Sequence, residues 1–230
     1  MVSKKDRWIM FDSIASTYDN INRWITFGSD IFWRHQMITC IPTSATHLVD
    51  VASGTMDVAI AASKQCPNLT KITALDMAKD MLQLGEDKCR KASIHHVDSM
   101  VADVHELPMA NNSVDAITVA FGIRNFERLH TAFSEMHRVL TPGAPLIILE
   151  SCQPNHAWVR QLNRWYLKWW VQPIGAMLSG KKSAYSYLLE SIESFHSPDE
   201  LSTMLTQCGF SDVKVKLMMA GSIQLIHAVK

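Results

Sequence analysis

Short apolar runs alternate with helix-period segments through the middle of this chain, and that alternation constrains the fold more than any single motif. The runs are "THLVDVAS" (46–53), "KITALDM" (71–77), "IHHVDSMVAD" (94–103), "SVDAITVAFG" (113–122) and "PLIILES" (145–151). Between them lie "MDVAIAASKQ", "KDMLQLGEDKCRK" and "RLHTAFSEMHRVL". The last of these sets Leu129, Phe133, Met136 and Leu140 on one stripe and stops at "TPG". Continuous apolar strands separated by helices imply βαβ units, hence a parallel sheet covered on both faces. Beyond "SPDELSTMLTQCGF", where Ser197 or Asp199 is placed to cap a helix, "DVKVKLMM" and "SIQLIHAVK" flank Ala220-Gly221. Those two strands are close enough in sequence to pair as a hairpin at the sheet edge. The expectation is an α/β fold with a mostly parallel seven-stranded sheet and an antiparallel edge hairpin.

With 230 residues the chain suits one domain, 1–230. Two regions fall outside the alternation: an aromatic N-terminal lid at roughly 6–40 and an insertion at roughly 152–194. Twenty-two basic residues balance 22 acidic ones, which argues against a nucleic-acid partner. No apolar run nears the roughly 18 residues that span a bilayer. The start "MVSKKDRWIMFD" lacks the apolar core of a signal peptide. Five scattered cysteines without C-x-x-C favour a reducing, cytoplasmic setting, and neither they nor the ten histidines suggest a metal site.

The stretch "LVDVASGTMDVAIAA" (48–62) has the layout of a nucleotide-cofactor loop between a strand and a helix. Asp50-x-Ala52-x-Gly54-x-Met56 departs from an acidic-x-Gly-x-Gly-x-Gly pattern, so alone it reads equally well as an ordinary strand-to-helix turn. Asp76 ends the second run, about 20 residues on, where a carboxylate can accept both hydroxyls of a ribose. Asp103 ends the third run, and Asp115 starts the fourth. Acids after three successive strands suit an adenosine ligand carrying a positive group, whereas a pyrophosphate would want more glycines and fewer acids.

"LDMAKDML", "ADVHELPMANNSVDAITVAFGIRNF" and "EMHRVLTPGAPLIILE" resemble the successive motifs of Rossmann-like class I methyltransferases that use S-adenosylmethionine. More narrowly, they are similar to the C-methyltransferase family of menaquinone and ubiquinone biosynthesis. The resemblance extends to "FDSIASTYDNINRWITFG", "AYSYLLESI" (184–192) and "AGSIQLIHAVK". "FGIRN" (121–125) stands where nucleic-acid and protein N-methyltransferases usually carry [DNS]-P-P-[YFW]. The resemblance implies S-adenosylmethionine as cofactor, with contacts from Asp50, Gly54 and Thr55 in the loop, Asp76 and Met77, Asp103 and Val104, and Ala120. Ala120 replaces a frequent serine, and Met56 replaces a small residue that is usually glycine.

The implied reaction is methylation of a ring carbon of a polyprenylated quinol, either demethylmenaquinol or the equivalent benzoquinol. Arg124 would be catalytic, as a cation that stabilises a phenolate, because a guanidinium is too weak an acid to serve as a base. Asn125 would hold substrate or water, and Tyr18, Asp19 and Glu150 are the other acid–base candidates. Methylation of another lipophilic phenol, or cofactor binding without catalysis, are the rival readings.

The insertion contains "AWVRQLNRWYLKWW" (157–170), with four of the seven tryptophans. On a helix of ~100° per residue, Trp158, Val159, Leu162, Trp165, Tyr166, Trp169 and Trp170 share an arc of about 140°, opposite Arg160, Arg164 and Lys168, with Leu167 the exception. That pattern suits peripheral contact with a membrane, a lid over a greasy substrate tail, or an amphipathic cover packed on the domain. Self-association of the chain is left open.

Overall fold

The computed structural model describes residues 7–230. The first residue of the lid segment, Asp6, and most of the basic start lie outside the described residues. The lid is three helices, α1 (Arg7–Asp12), α2 (Ala15–Ile25) and α3 (Ser29–Ile38). The alternating part continues as β1 (His47–Val51), α4 (Asp57–Gln65), β2 (Lys71–Asp76), α5 (Lys79–Lys91), β3 (Val97–Val101), β4 (Ala116–Ala120), α6 (Leu129–Val139) and β5 (Pro145–Ser151). The insertion forms α7 (Ala157–Tyr166), a π-turn over Leu167–Val171, α8 (Gln172–Ser179) and α9 (Lys182–Glu193). The chain closes with α10 (Pro198–Gln207), β6 (Ser211–Met218) and β7 (Ile223–Val229).

All seven strands make one sheet in the order β3-β2-β1-β4-β5-β7-β6. The first five are parallel, and β7 runs antiparallel between β5 and β6. The expected hairpin therefore forms, with β6 at the edge. Because successive strand residues point to opposite faces, each apolar run feeds two cores. Val49, Ile117, Ile148 and Ile226 meet Phe133 and Met136 of α6 and Leu201 and Leu205 of α10. Leu48, Ile72, Ala74 and Leu149 meet Trp33 and Met37 of α3, Val58 and Ala62 of α4, and Leu82 of α5. Ser197 caps α10 in a reciprocal box: its hydroxyl accepts from the Glu200 N–H, and the Glu200 carboxylate accepts from the Ser197 N–H.

Three expectations need correction. The third run is an edge strand, shorter than its apolar letters, with Met100 and Val101 exposed because β2 is its only neighbour. Asp115 lies at the amino end of β4 and accepts hydrogen bonds from the Thr46 and His47 N–H groups, so it is a turn residue far from the ligand edge. The insertion is not one wheel: Val159, Leu167 and Val171 are buried, while Trp158, Leu162, Trp165 and Trp169 are exposed. The π-turn takes an extra residue per turn and rotates the remainder of the helix, which brings Leu167 inward and leaves the tryptophan rings in solvent.

The lid and the insertion pack on each other. Ile14, Ile21 and Ile25 bury against Leu167, Val171, Tyr185 and Ile192. A Cβ on Gly175 of α8 would sit 2.2 Å from the Tyr185 ring, so the small residue is what lets α8 and α9 close. No helix among the described residues is long and apolar enough to cross a membrane, and no group of three His, Cys, Asp or Glu is placed to hold a metal.

Candidate active site

The β1–α4 loop is built from left-handed residues: Ala52 (φ 53°), Gly54 (φ 55°) and Met56 (φ 63°). Glycine adopts that conformation freely, whereas Met56 is strained there. What holds the loop is a set of carboxylates. Asp50, almost fully buried, accepts from the Ser53 hydroxyl at 2.6 Å and the Thr118 hydroxyl at 2.7 Å. Burial pushes its carboxyl up to about 6, against the pull of those two hydroxyls and of Arg34. Asp76 accepts from the Gly54 N–H at 2.8 Å with one oxygen and from the Ala78 N–H at 2.8 Å with the other, and burial raises its carboxyl too. An ionised carboxylate has about four lone-pair sites, so a pair of ribose hydroxyls can still be accepted.

The bulk of Met56 is taken out of the loop altogether. Its side chain is buried beneath α5, where Gly85 leaves a slot: a Cβ at Gly85 would lie 2.4 Å from Met56 Cγ. The glycine missing from position 56 thus has its counterpart at position 85. Sequence reading did not pick out Gly85, although the signal was present as a glycine inside the helical run "KDMLQLGEDKCRK", costly unless something packs on it. Gly122 of "FGIRN" does the same for Ala52, whose Cβ would lie 2.5 Å from a Cβ at Gly122.

Asp50, Gly54, Thr55, Asp76, Met77, Asp103, Val104 and Ala120 all succeed or end β1 to β4, on the carboxyl edge where doubly wound sheets bind ligands. Met77 is exposed beside Asp76. Val104 buries its side chain in the core, leaving only backbone to face a ligand. Asp103 is exposed and bonded to His105, through the N–H at 2.9 Å and the ring at 2.5 Å. Partial burial raises its carboxyl, but those bonds and the Arg128 charge outweigh it and hold it below the usual value. With Met56 cleared, these residues fit S-adenosylmethionine.

Thr55 and Asp19 are tied to each other. The Thr55 hydroxyl donates to Asp19 at 2.5 Å, and Lys88 of α5 bridges Asp19 at 2.8 Å and Asp57 at 2.6 Å. Asp57 also pairs with Arg23 at 2.7 Å, and Asp30 takes Arg23 and Arg34, the latter at 2.5 Å. This network fastens the lid to α4 and α5. Asp19 is held within it by Thr55 and Lys88.

Arg124 and Glu150 stand at the ends of β4 and β5 on the same edge. Arg124 lies in a 3-10 turn over Ile123–Asn125, and its guanidinium pairs with Glu150, both nearly inaccessible to water. The Glu150 carboxylate also accepts from the Ser151 N–H at 2.7 Å and the Arg124 N–H at 3.3 Å. Burial lowers the guanidinium to about 10, with the Tyr18 and Tyr187 phenols opposing. Arg124 is therefore still a cation at neutral pH. Its Nε is buried and has no hydrogen-bond partner among the described residues.

Arg124 and Asn125 face an elongated cavity of about 440 Å³ whose lining is mostly apolar, between the lid and the insertion. Tyr18, Trp33, Phe121 and Tyr185 line it, and it reaches the surface at Phe27, Leu162 and Met219, all exposed. Phe27 stacks on Trp170 at 5.2 Å, joining lid and insertion at that opening.

This sheet order, with acids along its carboxyl edge, defines a class I S-adenosylmethionine-dependent methyltransferase. A putative methyltransferase of this kind from Methanococcus maripaludis superposes with a TM-score of 0.69 at 22% identity, covering 96% of this chain and 94% of that one. One from Aquifex aeolicus gives 0.67 at 18%, covering 94% and 97%. The profile of the ubiE/COQ5 methyltransferase family matches residues 2–230, and the chain belongs to that family. A demethylmenaquinone methyltransferase of Porphyromonas gingivalis is 38% identical over 206 residues, 88% of this chain and 84% of its own. One of Thermotoga maritima is 37% identical, covering 90% and 89%. The ubiquinone/menaquinone biosynthesis C-methyltransferase of Rickettsia felis is 33% identical, covering 96% and 91%.

Proposed function

We propose that the chain methylates a ring carbon of a polyprenylated quinol, demethylmenaquinol or the equivalent benzoquinol. The observation that carries this reading is the buried cation of Arg124 facing an apolar, water-poor cavity. Bound S-adenosylmethionine supplies an electrophilic methyl group, and the overall reaction releases one proton from the quinol. A ring carbon is nucleophilic enough only when its neighbouring phenol is deprotonated, so the protein's task is to hold a phenolate and exclude water. Arg124, with its Glu150 partner fixing its direction, supplies the positive charge, which is worth far more in a dry site than in water. The Asn125 amide is placed to hold the same oxygen, and the apolar lining suits an isoprenoid chain.

The test is direct. Methyl-labelled S-adenosylmethionine is supplied with either demethylated quinol, and the product is analysed for label on the ring carbon. Label in neither quinol would sink the reading. Transfer to a different lipophilic phenol would favour the rival substrate class, and calorimetric titration with S-adenosylhomocysteine would separate both from a protein that does not bind the cofactor.

The same reading supports a cytoplasmic enzyme that visits the bilayer surface, where such a quinol resides. Trp158, Leu162, Trp165 and Trp169 of the insertion and Trp24, Phe27, Ile31 and Phe32 of the lid are exposed around the cavity opening. Lys168 lies over the Trp169 ring at 5.8 Å, a cation behind an apolar surface. Burying each ring contributes about 2 kcal/mol or more. The double substitution Trp165→Ser, Trp169→Ser is therefore expected to weaken sedimentation with phospholipid liposomes at least tenfold. Unchanged association would exclude this face as the contact.

A further inference from the structure

We infer that Tyr187 is a positioning residue that fixes which end of the Asn125 amide faces the quinol. The inference rests on the quinol reading above. Tyr187 belongs to α9 and stands in a wall between the substrate cavity and a second cavity behind it, lining both. Its hydroxyl donates to Asn125 Oδ1 at 2.8 Å. Its ring is held from the other side by the Arg7 guanidinium, 5.1 Å from the centroid, and Arg7 also donates to the Arg124 carbonyl at 3.1 Å.

An asparagine amide presents an acceptor at one end and two donors at the other, and rotation about its last bond exchanges them. The bond from Tyr187 takes the oxygen, so the NH2 end is left for the cavity that Asn125 lines. The charges around Tyr187 favour the same sense. Arg7 and Arg124 both act on the phenol oxygen as nearby cations, which draws its lone pairs toward them and turns its hydrogen to Asn125. The consequence for the reaction is specific. An NH2 facing the quinol oxygen adds a donor to the Arg124 cation as the phenolate develops, whereas a carbonyl oxygen in the same place would repel it. Tyr187 itself is separated from the quinol by Asn125 and acts through it.

Tyr187→Phe keeps the ring under Arg7 and removes only the hydroxyl. The expected result is a kcat about tenfold lower, one hydrogen bond's worth, with KM for the quinol and S-adenosylhomocysteine affinity within twofold. In an Asn125→Ala background the same substitution should lower kcat no further, because the effect passes through the amide that is gone. Independently of any substrate, the Asn125 side-chain NH2 resonances in a 15N–1H spectrum should shift in Tyr187→Phe. A kcat unchanged by Tyr187→Phe, or losses that add in the double variant, would overturn the inference. If wild-type protein methylates no quinol, the proposed function fails, and the amide resonances still decide the Tyr187–Asn125 bond: a shift upholds it, and none overturns it.

Discussion

Arg124→Ala is expected to lower kcat by roughly 10²–10³, the cost of removing one preorganised group that stabilises developing negative charge. S-adenosylhomocysteine affinity should remain within a few-fold, because the cofactor residues Asp50, Asp76 and Asp103 belong to other strand ends and bond other partners. The substitution also strands Glu150, which is fully buried, and breaking a buried pair from one side costs about 3–5 kcal/mol. Loss of turnover must therefore be separated from loss of fold. Arg124→Ala combined with Glu150→Gln removes the stranded charge, so thermal stability should recover while turnover stays low. Arg124→Lys keeps a cation but loses the planar fork and should fall between wild type and alanine. Recovery of turnover along with stability in the double variant would make Arg124 a structural partner of Glu150 and nothing more. The pH–rate profile adds a second check: with its guanidinium at about 10, Arg124 should contribute no titration between pH 6 and 9.

The sheet was legible because its strands are continuous apolar runs, and a run buried on both faces leaves few alternatives. What a run does not encode is its neighbour. β3 reads like the others yet lies at an edge, and only the sheet order exposes Met100 and Val101. The cofactor edge was legible for a related reason: an acid at a strand's carboxyl end is a local feature, so Asp50, Asp76 and Asp103 fell together once the strands were parallel. Partnerships across the chain were not legible. Asp19 meets Lys88 and Thr55 across 69 and 36 residues, and Tyr187 reaches Asn125 across 62. No spacing rule connects such pairs, because lid and insertion are placed by their packing on each other. The insertion's wheel failed at Leu167 for a different cause, since a π-turn has no dependable local signature and shifts every later residue.

The relation between Met56 and Gly85 is where the largest effect on the cofactor is expected. Gly85→Ala places a methyl 2.4 Å from Met56 Cγ, closer than side chains tolerate. Helix α5 has little freedom to retreat, because Lys88 anchors it to Asp19 and Asp57, and Asp12 of the lid accepts from the Asp80 N–H at 3.0 Å at its start. Met56 must then leave its slot. Overpacking of this kind typically costs about 1–3 kcal/mol, which exceeds the roughly 1 kcal/mol that alanine gains over glycine inside a helix. Displaced from under α5, the side chain returns to the loop, so S-adenosylhomocysteine affinity should fall at least tenfold in calorimetric titration. Met56→Gly in the Gly85→Ala protein removes the clash and relaxes a left-handed residue, and affinity should return. Met56→Gly alone leaves a cavity beneath α5, so the melting temperature should drop while affinity holds. If Gly85→Ala bound S-adenosylhomocysteine as wild type does, the slot would be a packing detail unconnected with the cofactor. If it fails and the double variant recovers, a methionine in a glycine's place is tolerated because a glycine sits in the helix above it.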